Sequence, residues 1–165
     1  MQDIVFQFHK CIEAENQLIE GLINSALNKR VAIIAGDLEG LNEIISQENG
    51  LVQALEKLEV ERLSNQAGLV ERLGVHQDVS ANELIETMRV LEVESWFESK
   101  SLVEKLAWNL QRLQEHNAIN SGLLEQSLAF IENMEVLITR ESDTTYSGEG
   151  EGKGVRARSL VDKTI

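Results

Sequence analysis

VAIIAGD, residues 31–37, decides how this chain folds. It is the short break between two long stretches in which apolar residues recur every three or four positions. Gly36 suits the left-handed position that closes a helix, and Asp37 has the side chain that caps the next one. Upstream, Ile4, Phe8, Cys11, Ile12, Leu18, Ile19, Leu22, Ile23, Ala26 and Leu27 form one apolar stripe. That spacing predicts a helix from Asp3, a residue able to cap it, to Ile34. Downstream, Leu41, Ile44, Ile45, Leu51, Val52, Leu55, Leu58 and Leu63 predict a second helix from Leu38 to Leu73, roughly 50 Å long. Two long helices joined by so few residues form an antiparallel hairpin.

Beyond Gly74, which suits the end of the second helix, Val75 to Ser80 reads as a loop, and Ser80 or Asn82 caps the next helical segment. Leu84, Ile85, Met88 and Leu91 predict a short third helix over 81–91, and a fourth runs from Val93 to Arg140, roughly 70 Å if continuous. The chain has no proline, and 4% of its residues are aromatic. The expected fold class is therefore all-α, a coiled-coil-like antiparallel long-helix hairpin or bundle of about four helices with a flexible C-terminal tail. Residues 1–140 make the body, and 141–165 a disordered Gly-rich link and tail.

The formal net charge of -13 argues against a nucleic-acid partner and against docking on an anionic membrane. No run of apolar residues is long enough for membrane insertion, and the N-terminus lacks the pattern of a secretory signal. The expected location is cytoplasmic. The single cysteine, Cys11, allows no internal disulfide, and its apolar neighbours suggest a small core residue. His9, His76 and His116 lie in separate segments without metal-ligand spacing. The run GEGEGKG (148–154) lacks the preceding strand and the Lys-Ser/Thr ending of a phosphate loop. We therefore expect no enzyme, no cofactor and no metal. Glu48, inside an apolar stripe, calls for a cation such as Arg62 or a residue of the neighbouring helix. Trp96 and Phe97 are expected in the core.

A heptad frame on the fourth helix sets Trp96, Val103, Leu110, Asn117, Leu124, Ile131 and Ile138 at one core position, and Leu106, Leu113 and Asn120 at the other. Two asparagines then fall on the apolar seam. A buried amide without a partner costs on the order of 1–3 kcal/mol. Either the pair fixes register or oligomeric state, or it faces a partner.

The terminus reads VRARSLVDKTI (155–165), with Ala157, Leu160, Val161 and Ile165 on one helical face. Burying those few side chains yields roughly 6–10 kcal/mol. Fixing the backbone costs about 1–2 kcal/mol per residue, so entropy wins in isolation. The segment is expected to fold only against a groove supplied by a partner. A merely solubilising tail, or one folded back on its own body, is the alternative.

Several segments together resemble a known family. They are LNEIISQENGLVQALEKLEVERL (41–63), NLQRLQEHNAINSGLLEQSLAFIENMEVL (109–137), Thr145-Tyr146-Ser147 before Gly148, and Leu160 to Lys163. Within them, Asn117, Asn120 and Leu124 followed by Gln126-Ser127-Leu128 carry most of the specificity. The chain is similar to the flagellar export chaperones of the FlgN type. The resemblance implies a cytoplasmic chaperone without ATPase activity. Its partners would be the C-terminal helical ends of hook-associated (hook-filament junction) proteins and components of the flagellar type III export apparatus. The C-terminal region would be the main binding part. The expected partner-binding residues are Asn117, Asn120, Leu124, Leu128, Tyr146, Val155, Leu160, Val161 and Ile165. A structural coiled-coil or adaptor protein with a helical partner is the other reading, and a homodimer is left open.

Overall fold

In the computed structural model, which describes residues 2–76 and 79–145, all four expected helices form. They are α1 (Gln2–Ala35), α2 (Leu38–Leu73), α3 (Ala81–Val90) and α4 (Trp96–Thr145). The first hairpin closes as the sequence dictates. Gly36 takes φ 68°, and the Asp37 side chain accepts from the Gly40 N–H at 3.0 Å. Gly74 ends α2 in the same left-handed conformation. Ser80, not Asn82, caps α3, and Glu83 returns the bond to the Ser80 N–H at 2.8 Å. Asp3 lies in the first turn of α1 instead of capping it, where its charge still meets the positive end of the helix dipole.

The chain divides into two units, Met1–Gln126 and Ser127–Ile165. In the first unit α1 is the central element. Its buried residues run from Val5 to Ala32, whereas α2 buries only Leu69 and Val70 and α3 buries Leu84, Ile85 and Met88. Val5, Phe8 and Ile12 meet Leu69, Val70, Leu84 and Met88 in one cluster, with Trp96, Leu102, Val103 and Leu106 of α4 packed against it. Each such side chain contributes about 1.5–3 kcal/mol when fully buried.

Farther along α1 the contacts with α2 include ion pairs. Arg62 Nε lies 3.1 Å from Glu15, and Lys29 pairs with Glu48. Glu48 thus finds its cation on the neighbouring helix, while Arg62 serves Glu15. Cys11 is buried, as expected, and its Sγ accepts from Asn65 at 3.3 Å.

In the second unit the described part is helical, and residues 127–136 are exposed. The helix continues to Thr145 instead of ending at Arg140. Nothing from Glu141 to Thr145 is a glycine, and the first helix-breaking residue is Gly148. The expected link and tail beyond Thr145 lie outside the described residues.

Candidate partner-docking surface

Besides the apolar contacts of Trp96, Leu102, Val103 and Leu106, α4 sits on α1 through polar groups. Among the described residues, those of α4 that are buried are Ser99, Asn109 and Asn120. Each meets α1. The His9 imidazole hydrogen-bonds the Ser99 hydroxyl at 2.6 Å, and that hydroxyl donates to the Ser95 carbonyl. Asn109 donates to Asn16 Oδ1 at 2.9 Å, and Asn16 donates in turn to the carbonyls of Ile12 and Leu102. Asn120 donates to the Ala26 carbonyl at 2.8 Å and accepts from Arg30, whose other nitrogen reaches His116 at 3.0 Å. Residue numbers rise together on both helices, so α4 runs parallel to α1 and antiparallel to α2. Sliding α4 by one turn would strand these buried polar groups without partners, which fixes its register.

His9, Ser99 and Glu98 resemble an acyl-transfer triad in composition. His9 Nδ1 lies 3.5 Å from the Glu98 carboxylate. The Ser99 side chain, however, has no exposed surface, so no substrate can reach it. The three groups latch α4 onto α1. An open hollow beside them, lined by Val5, Phe6, His9, Val93 and Glu98 among others, gathers no second constellation of reactive groups. Among the described residues no cluster of His, Cys, Asp and Glu is placed to hold a metal ion, and no helix is long and apolar enough to cross a membrane.

Asn117 and Asn120 part company. Asn120 is buried and bonded to α1, whereas Asn117 is exposed. The heptad frame misplaced one of them because a straight helix turns once per 3.6 residues and drifts about 20° per heptad against a 3.5 repeat. Trp96 and Val103 begin on the covered side, but Leu110, Asn117 and Leu124 have rotated out of it. Phe97 is likewise 68% exposed, contrary to its expected place in the core, although its ring meets Trp96 edge-on at 5.7 Å. Sequence periodicity passed over His9, Asn16, Ser99 and Asn109. The signal for the last two was their near 11-residue spacing with Asn120, a period that no heptad frame detects.

On the later part of α4, Leu128, Ile131, Met134 and Ile138 are all exposed, at spacings of three and four that place them along one side of the helix. Leu124, earlier on the same helix, is also exposed. Leu128, Ile131, Met134 and Ile138 thus form an exposed apolar stripe on this part of the helix. The remaining expected contact residues, Tyr146, Val155, Leu160, Val161 and Ile165, lie outside the described residues.

One protein-family model, described as FlgN protein, matches residues 1–154. No curated protein matches the chain, and no solved structure does.

Proposed function

From the membership of this chain in the FlgN family of flagellar export chaperones, we propose that it holds the C-terminal helical ends of hook-associated proteins in the cytoplasm. In this reading it prevents their premature assembly and delivers them to the flagellar type III export apparatus. The observation that carries the proposal is the exposed apolar stripe Leu128–Ile131–Met134–Ile138. Soluble proteins rarely leave a contiguous apolar surface uncovered without a partner for it. An unassembled junction protein presents helix ends that pair through such stripes, and a helix-in-groove contact masks them.

The C-terminal segment completes the grip in this proposal. Tyr146, Val155, Leu160, Val161 and Ile165 add apolar contacts once the partner is in place, joined to the body by the glycine-rich link. Ordering that segment on binding lowers the net affinity, which suits a complex that must come apart at the export gate.

The test is binding of the isolated C-terminal helical segment of a hook-associated protein, followed by calorimetry. Two buried aliphatic anchors lost to charge predict that Leu128→Asp with Ile131→Asp weakens binding by about 100-fold or more, with unchanged helicity. Full affinity in that variant would defeat the stripe as the contact surface. Full affinity after truncation behind Arg140 would separately remove the tail from the mechanism. A variant that loses self-association but keeps the peptide would favour the adaptor reading.

A further inference from the structure

The outer side of α4 carries a second pattern, distinct from the Leu128–Ile138 stripe. Phe97, Trp108 and Ile119 are each separated by eleven residues and are 68%, 60% and 49% exposed. Eleven residues make three turns with a residual rotation of only about 20°, so successive members lie nearly in line, roughly 16 Å apart. In a chain with 4% aromatic residues, two of these three positions are aromatic. Their spacing differs from that of a heptad seam and fits a partner helix lying almost straight along α4.

We propose that this face is the site at which a second copy of the chain docks, with the two α4 helices antiparallel about a two-fold axis. The numbering makes the face self-complementary. A register that sets Trp108 of one copy against Ile119 of the other also sets Arg112 against Glu115, and does so twice by symmetry. A parallel arrangement would instead oppose Arg112 to Arg112 and Glu115 to Glu115. Charge therefore selects the antiparallel pair.

Both charged groups are already placed on this face. The Arg112 guanidinium stacks 4.6 Å from the centre of the Trp108 ring, and Glu115 accepts from Gln111 at 3.0 Å. Arg112 is thus aligned with the aromatic rung that the partner would cover. Aromatic side chains present roughly 150–250 Å² each, of which these leave half or more in water. A few such rungs per copy make an interface near the small end of the specific range, below about 1,200 Å². Association is therefore expected to depend on concentration in the micromolar range.

The experiment is light scattering with sedimentation on the full chain, from low micromolar to several hundred micromolar. The average mass should rise with concentration toward twice that of one chain. Trp108→Asp, a change at an exposed position, should hold it at a single chain with unchanged helicity. Arg112→Glu alone and Glu115→Arg alone should each weaken pairing by about tenfold or more, because each opposes like charges at two places. The double reversal should bring pairing back to about the original strength. A chain that stays single at every concentration, a Trp108→Asp variant that pairs as well as the parent, or a double reversal no better than the single ones would each overturn the proposal.

Discussion

Glu15 shows how close the interior of this protein comes to a buried, unpaired charge. It is 3% exposed, and burial is the first cause pushing its carboxyl above the usual carboxylate range, with the Arg62 guanidinium pulling it back. A carboxyl whose folded value is raised binds its proton more tightly in the folded state. Its contribution to stability is therefore complete below about pH 4.3 and is lost as pH rises through the folded value. Removing the cation raises that value further. Arg62→Met should cost on the order of 3 kcal/mol near neutral pH, and the deficit should shrink as Glu15 takes up its proton toward about pH 4.5. Urea unfolding of both proteins at the two pH values measures this. An equal deficit at both would mean that the ion pair is not what Arg62 contributes.

The junction of α3 with α4 carries a comparable weakness in its backbone. Glu92 adopts φ 52°, the left-handed conformation that glycine takes at Gly36 and Gly74. It closes α3 with a bond from its N–H to the Arg89 carbonyl, and Val93 donates to Met88. A side chain in that conformation costs about 1–2 kcal/mol, part of which glycine gives back through the entropy of the unfolded chain. Glu92→Gly should therefore raise stability by about 0.5–1 kcal/mol, read as an upward shift in thermal midpoint. A fall would show that the Glu92 side chain holds the junction in some other way.

The helices themselves were legible in the sequence, because Gly36, Asp37, Gly74 and Ser80 are local signals and the apolar period is strong. The facing of α4 was legible only in part. The heptad frame set Leu106, Leu113 and Asn120 on the covered side, but that side is also marked by Ser99 and Asn109, residues that a hydrophobic pattern treats as exterior. The buried Glu15 and Asn16 likewise interrupt the stripe of α1 between Ile12 and Ile19. Which polar residues are paired across helices about 90 positions apart is a property of packing, and no local rule supplies it. The apolar stripe from Leu128 onward was visible as periodicity, and its exposure came only from the structure.

Taken whole, the molecule carries a net charge of -13. Much of that charge lies on solvated helix faces, where like charges repel and the repulsion acts against the folded state. Ion pairs such as Lys105–Glu20 at 2.9 Å, both about half exposed, recover little of it in water. Raising ionic strength from about 10 mM to about 150 mM shortens the screening length from roughly 30 to 8 Å. The thermal midpoint should accordingly rise by a few degrees. A midpoint that falls with salt would mean that attractive pairs outweigh the general repulsion.

The polar seam between α1 and α4 also bears on how the chain comes off the ribosome. His9 waits for Ser99, and Asn16 for Asn109, so that side of α1 is made about 90 residues before its cover. At about 5–20 residues per second, the delay is several seconds or more. An apolar strip left open for that time would invite aggregation. Beside the apolar residues that Trp96, Leu102, Val103 and Leu106 later cover, the face that must wait presents an imidazole, an amide and a guanidinium, all at ease in water. The face that meets α2 waits less, because the chain of α2 follows directly after the first hairpin turn.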